Sequence, residues 1–233
     1  MNPDTTTSNR PDMPAPRAAL STTRYQRITR TLLTCGVVAG PLWVGVVVVQ
    51  MLVRPGFDIR RHAVSALSLG EGGWIQQTNF IVAGLLVVAC AVGLRRALRG
   101  GRAGTWGALL VGVYGLGLIA AGIFSTDPVN GFPPGTTTPT QLSVHGTLHL
   151  LVSSIAFLCL IIASAIVFAR RFAGLGQRGW AAYSIATGAY FLVTWIGLIA
   201  TGDAFAAVAI AFALAVALDW TWLSVVAART ASL

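Results

Sequence analysis

The chain has 233 residues, of which 55% are hydrophobic and 10% are charged. Soluble domains are about half apolar and about a quarter charged, so this composition excludes an ordinary soluble fold and indicates a membrane protein. The net charge of +9 is accompanied by no nucleic-acid recognition motif, and we expect no nucleic-acid partner.

Six apolar stretches follow a polar N-terminal segment. Residues 1–23 are rich in Pro, Thr and Asn without apolar periodicity, which predicts a disordered cytoplasmic tail. A membrane-spanning helix needs about 20 apolar residues, and stretches of this kind occupy 32–53, 75–94, 104–124, 144–168, 180–200 and 204–226. We therefore expect an all-α integral membrane protein with one six-helix membrane domain over 24–229.

The arginines predict the orientation of the helices. All sixteen basic residues are Arg, and a cytoplasmic N-terminus leaves only Arg54, Arg60 and Arg61 outside. Cytoplasmic loops carry the excess of positive charge, so both termini are expected in the cytoplasm and the protein in the cytoplasmic (inner) membrane. Loops 54–73 and 125–143 then lie outside, together with all three histidines.

The first outer loop has helical periodicity over residues 58–69. Asp58, Arg61, His62 and Ser65 fall near one face, whereas Ile59, Ala63, Ala66 and Leu67 fall on the other. This pattern predicts a short amphipathic interfacial helix between helices 1 and 2. A spacer with a solvated polar face is the alternative.

Polar residues within the helices indicate a cavity that opens outward. Gln76 and Asn79 share one face of helix 2, and a polar and aromatic stripe on helix 5 includes Tyr190 and Thr194. Such groups have to be satisfied inside the bundle. Ordinary helix packing explains the stripe equally well.

The stretch "VHGTLHL" places His145 and His149 on one face at the start of helix 4. An i, i+4 pair of histidines is a common way for a helix to bind a metal such as zinc, and His62 or Asp127 would supply the third ligand. A hydrogen-bonded structural pair and a proton relay are the alternatives. Gly146 stands where a zinc protease would have its glutamate, which excludes that class.

Three further features of the sequence, a long loop, two glycines and an aspartate, predict local structure. Loop 125–143, "STDPVNGFPPGTTTPTQLS", is long enough to be a lid or a Pro/Thr-rich spacer. Gly36 and Gly40 allow close helix packing, within one protomer or in a homodimer. Asp219 is expected near the inner interface, in an ion pair with Arg170, Arg171 or Arg229.

Five segments together resemble the prokaryotic membrane-protein family DUF998, a domain of unknown function. They are "RRHAVSALSLGEGGWIQQTNF", "GLRRAL", "STDPVNGFPPGT", "HGTLHL" and "ARRFAGLGQRGWAAYS". The resemblance covers residues 30 to 226 and implies six helices without supplying an activity. It points to His62, Ser65, Ser68, Trp74, Asn79, Asp127, His145 and His149; Ser125 replaces the commoner proline of the family.

These features favour an outward-facing His/Asp/Ser pocket for an amphiphilic, lipid-like ligand, with membrane lipid as the partner. In its sharpest form the hypothesis is a metal-dependent hydrolase, with His62, His145 and His149 as ligands, Asp127 as base and Ser65 stabilising the transition state. The remaining ligand-binding candidates are Arg61, Ser68, Gln76, Asn79, Tyr190 and Thr194. The alternative is a non-enzymatic membrane protein, either a small proton-coupled transporter subunit or an accessory factor.

Overall fold

The computed structural model describes residues 16–202 and 205–233, with side chains from Thr23 onward. Six helices are long and apolar enough to cross a membrane, which confirms the six-helix prediction. They are α1 (Pro16–Val53), α2 (Gly73–Ala97), α3 (Ala103–Ile123), α4 (Val144–Gly174), α5 (Arg178–Thr201) and α6 (Ala206–Ala231). Helix α1 begins at Pro16, within the segment expected to be a tail, and residues 1–15 lie outside the described residues.

The six helices form a closed ring. Each helix packs against its neighbours in the sequence, and α6 returns to pack against α1. Glycines permit the closest approaches: a Cβ on Gly84 would lie 2.6 Å from the carbonyl oxygen of Gly115, and one on Gly36 would lie 2.3 Å from the sulfur of Cys90. Gly36 and Gly40 are thus used for packing within one chain.

The ring has two chemically different ends. An even number of spans brings both ends of the described chain to the same end of the bundle, together with the α2–α3 and α4–α5 connections. We call this the arginine end, because Arg95, Arg96, Arg170 and Arg171 lie there. The opposite loop end carries residues 54–72 and residues 124–143, together with the end of α5 and the start of α6.

The first long loop differs from the predicted amphipathic helix. Residues 58–62 form turns, and only Val64–Ser68 forms a short 3₁₀ helix. The Asp58 carboxylate accepts hydrogen bonds from the backbone and side chain of Arg60, and the Asp58 backbone N–H donates to Nδ1 of His62. Such local side-chain bonds compete with helical hydrogen bonding. The bond with Arg60 also lowers the pKa of Asp58 to about 2.

Candidate functional site: a cavity at the loop end

A cavity of about 390 Å³ lies inside the ring, beneath the two long loops. We call it the loop-end cavity. Its polar lining comes from the loops and the first turns of α4: Ser65, Thr126, Asp127, Thr138, His149, Ser153 and Ser154. Its aromatic lining comes from the helices: Trp43, Phe80, Tyr114, Phe157, Trp195, Phe212 and Trp220. The volume is within the range of small-molecule sites, about 300–1,000 Å³.

A tight turn folds the second loop over the first. Asn130 and Gly131 both have positive φ, 52° and 79°, and the flanking Val129 and Phe132 exchange two backbone hydrogen bonds. Two central residues with positive φ are typical of a type I′ turn, for which Asn-Gly is the preferred sequence. The Asn-Gly dipeptide within "DPVNGF" is thus a sequence signal for this turn, in addition to the features that predicted the loop.

The turn anchors the loops to each other through Phe132. The Phe132 side chain is fully buried, and its ring centroid lies 5.5 Å from that of Phe57 and 5.3 Å from that of His62. The Asn130 side-chain amide donates to the Arg61 carbonyl oxygen at 2.9 Å. Arg54, at the end of α1, donates to the Leu67 carbonyl and lies over the Phe132 ring. The two loops therefore form one cap over the cavity.

Asp127 lies against the first turn of α4. Its Oδ2 accepts a hydrogen bond from the Ser143 backbone N–H at 2.8 Å, and Ser143 in turn caps the helix by accepting from the Gly146 N–H at 2.9 Å. A Cβ on Gly146 would lie 2.1 Å from Asp127 Oδ2. Glycine at this position thus leaves space for the carboxylate, which links the "STDP" and "HGTLHL" segments in space.

The two histidines of α4 contact Phe124, directly after α3. His149 is buried, and its Nδ1 lies 2.7 Å from the Phe124 carbonyl oxygen. Since a carbonyl oxygen only accepts, Nδ1 carries the proton, and in the neutral ring Nε2 is an acceptor. His145 is exposed, and its ring centroid lies 5.7 Å from the Phe124 ring. This arrangement favours the structural interpretation of the pair.

The three histidines do not form the expected metal site. His62 Nδ1 accepts from the Asp58 N–H, and its Nε2 lies 3.4 Å from the Asn130 carbonyl oxygen, so both ring nitrogens face backbone partners. In the part of the chain that the structure describes, no group of three His, Cys, Asp or Glu residues is placed to hold a metal ion. The side chains that could serve as ligands therefore do not fit a shared three-ligand centre.

Of the expected site residues, Ser65, Asp127 and His149 line the cavity. Gln76 and Asn79 are instead buried between α1 and α2, where Gln76 accepts from Gln50 at 2.7 Å. Their apolar surroundings explain this placement, because amides within lipid have to bond to each other.

Four other candidates also lie elsewhere. Thr194 is buried and bonds to the backbone of its own helix, whereas Tyr190 is exposed on the surface of the bundle. Arg61 is exposed in the cap, and Ser68 is buried there with its hydroxyl bonded to the Ser65 carbonyl oxygen. None of the four contributes to the cavity lining.

The position and the surroundings of Asp219 differ most from those that the sequence predicted. It is 1% exposed at the middle of α6, and neither carboxylate oxygen has a hydrogen-bond partner among the described residues. The expected ion pair is wrong: Arg229 donates to Gln177 and lies over the Trp180 ring. With the helix predicted to end at residue 226, Asp219 is expected near the inner interface, whereas α6 continues to Ala231 and so places it further from the helix end.

The comparisons with known proteins identify a family. Among curated proteins and solved structures, none matches the chain. The sequence model described as "Protein of unknown function (DUF998)" matches residues 37–229, which include all six helices at least in part and both loops of the cap. Most of this multi-pass helical protein is thus covered by one family model, and the chain belongs to the DUF998 family.

Proposed function

We propose that the protein binds one amphiphilic, lipid-like molecule in the loop-end cavity. The observation that carries the proposal is the division of the lining by origin: the loops contribute the polar side chains Ser65, Thr126, Asp127 and Thr138, whereas every aromatic side chain comes from a helix of the bundle. Binding sites of this kind are mostly apolar, with a few polar groups that orient the ligand. A molecule with a polar end at the cap and an apolar remainder in the bundle matches this division.

The polar groups of the lining define what the polar end of the ligand would meet. The Nε2 acceptor of a neutral His149 and the Ser65 hydroxyl can hydrogen-bond an alcohol or an amide. No arginine of the described residues lines the cavity, whereas the Asp127 carboxylate does. A neutral or cationic polar end is therefore favoured over an anionic one.

Binding is proposed here without a metal-dependent hydrolysis step. His62 and His145 do not line the cavity, and no three-ligand group occurs among the described residues. Asp127 is engaged in capping α4 through Ser143. These positions and contacts favour a structural role for Asp127 and the histidines, in which they shape the cavity.

The orientation forms part of the proposal. The positive-inside bias of the arginines supports a cytoplasmic arginine end, in the inner membrane. The cap then faces the outside, and a ligand would enter the cavity from the outer leaflet. The aromatic part of the lining comes from all six helices, so the apolar part of the ligand would lie within the bundle.

The test is identification of the molecules that co-purify with the full chain after extraction in mild detergent. Ser153 lines the cavity, and Ser153→Trp would fill it; Leu151→Trp on the outer surface of the same helix is the matched control. We expect one amphiphile to be enriched in wild type and Leu151→Trp and strongly depleted in Ser153→Trp. Equal lipid content in all three correctly folded proteins would contradict the proposal.

A further inference from the structure

Asp219 is the buried acidic group that the proposed function does not use. It lies thirteen residues after the start of α6 at Ala206, which places it about 20 Å along the helix at 1.5 Å per residue. Because a hydrocarbon core is about 30 Å thick, this position is well inside the membrane. Ionisable residues at such depth are costly and are commonly functional.

The surroundings of Asp219 restrict what can neutralise it. Both carboxylate oxygens are buried and have no hydrogen-bond partner among the described residues. Among the described residues, the only ion pair is the one between Asp58 and Arg60 in the cap. A hydrated ion or an ammonium group would need space around these oxygens, whereas a proton needs none. An uncompensated carboxylate here would carry a large desolvation cost.

The loop-end cavity extends to residues that neighbour Asp219 on α6. Val216 and Trp220, three residues before and one residue after Asp219, both line the cavity, as does Tyr114 of α3. The Tyr114 ring packs against that of Trp220, the residue after Asp219, with the ring centroids 5.8 Å apart. A phenol both donates and accepts hydrogen bonds, so Tyr114 can connect the cavity with the carboxyl group.

The other titratable groups around Asp219 do not offer a counter-ion. Tyr183 of α5 is half-buried and does not line the cavity. On α2, the Cys90 thiol packs against Gly36 of α1. Arg229, on the same helix, is bound to Gln177 and Trp180 at the arginine end.

We propose that Asp219 is a proton-binding site in the middle of the membrane, loaded from the loop-end cavity through Tyr114. A side-chain rotation first brings the Tyr114 hydroxyl within hydrogen-bond distance of Asp219, whose oxygens otherwise have no partner among the described residues. The Tyr114 oxygen then accepts a proton from a hydronium ion in the cavity, which leaves as water, while the original O–H proton passes to a carboxylate oxygen of Asp219. The hydroxyl is regenerated, and one proton moves in total. The proton site does not depend on a ligand in the cavity, and its occupancy can be measured without one.

The occupancy test is infrared spectroscopy of the full chain in lipid nanodiscs at neutral pH, with ¹³C-carboxyl-labelled aspartate. We expect a protonated carboxylic C=O band that shifts with the label and with deuteration. It should disappear in Asp219→Asn and persist in Asp58→Asn and Asp127→Asn. A wild-type spectrum without a labelled carboxylic band would overturn the proposal even if Asp219→Asn fails to fold, and so would a band that survives in folded Asp219→Asn.

The route is tested by the rate at which the same band shifts after rapid mixing with D₂O. Tyr114→Phe removes the hydroxyl and should slow the exchange by about tenfold or more, equivalent to at least about 1.4 kcal/mol of barrier. Tyr183→Phe is the matched control, because Tyr183 is a half-buried tyrosine of the bundle that does not line the cavity. Equal rates in Tyr114→Phe and wild type would exclude Tyr114 as the route.

Discussion

At the scale of single residues, the polar side chains of the loop end hold helix ends in position. His149 satisfies a carbonyl group next to the end of α3, and Asp127 and Ser143 satisfy N–H groups at the start of α4. Helix ends leave backbone groups without intrahelical partners, and unpaired polar groups are costly within a membrane protein. These side chains therefore shape the cavity by fixing the two helices that border it.

Gly146→Ala should destabilise the protein. The added Cβ would lie 2.1 Å from Asp127 Oδ2, so the carboxylate has to leave its bond with Ser143. We expect a loss of about 1–3 kcal/mol from overpacking and the weakened cap, measured as a lower midpoint of thermal unfolding in detergent. Gly179→Ala, in the first turn of α5 with no atom within 4 Å of its Cβ position, is the control and should not lower the midpoint.

The two histidines should respond differently to substitution. His149→Leu leaves the Phe124 carbonyl without its donor and should cost about 1–3 kcal/mol. His149→Asn can present an N–H near the position of Nδ1 and should retain part of that stability. His145→Leu changes an exposed side chain and should stay within about 0.5 kcal/mol. Equal unfolding midpoints for His149→Leu and His145→Leu would contradict the role given to the Phe124 bond.

At the scale of structural elements, the cap depends on the turn at Asn130 and Gly131. The turn places Phe132 among Phe57, His62 and Arg54, and so joins the two loops. The loop 54–72 has little regular structure of its own, and its 3₁₀ helix spans only five residues. The shape of the cap therefore comes from contacts between loops.

Gly131→Ala should loosen the cap without disturbing the helices. No atom lies within 4 Å of the Cβ position, but φ is 79°, and a left-handed conformation costs a residue with a side chain about 1–2 kcal/mol. Hydrogen exchange of the Val129 and Phe132 amides should accelerate by roughly 5- to 30-fold. In the control Gly174→Ala, at the end of α4 with neither positive φ nor close contacts, these rates should equal those of wild type.

At the scale of the whole molecule, the ring separates two ends that differ in charge and in loop length. The arginine end has short connections, whereas the loop end has the two long loops of the cap. Tyr25 at the arginine end lies 4.0 Å below the guanidinium carbon of Arg96 and 4.7 Å below that of Arg99. The arginines there also contribute packing, in addition to the charge that favours the cytoplasmic side.

The orientation predicts which end a membrane-impermeant thiol reagent reaches. In a chain with its three cysteines replaced by alanine, Thr140→Cys in the exposed part of the cap should be labelled in intact cells. Gly101→Cys, in the α2–α3 connection, should react only after the cells are opened, because that connection is expected in the cytoplasm. The reverse pattern would invert the topology and place the cavity on the cytoplasmic side.

The sequence by itself determined the six helices and their connectivity. Each apolar stretch is long enough to cross a bilayer, and a chain in lipid has to satisfy its backbone polar groups within its own helices. Several helix ends, such as Val53, Gly73 and Val144, therefore fall at or close to the ends of the apolar stretches, whereas α1 begins well before its stretch and α4 and α6 continue past theirs. Local composition is sufficient for these features because the hydrogen bonds that form them are local.

Only the tertiary structure decided which polar groups meet. His145 and His149 share a face of α4, yet His62 is held in the cap by Asp58 and Asn130. Gln76 is polar like the residues that line the cavity, but it accepts a hydrogen bond from Gln50 across the α1–α2 interface instead. Asp219 shares its helix with Arg229, yet it has no ion-pair partner among the described residues. Asn130, which contacts His62, and Gln50, which pairs with Gln76, both come from distant parts of the chain. Their positions depend on how the ring closes and how the loops fold over it.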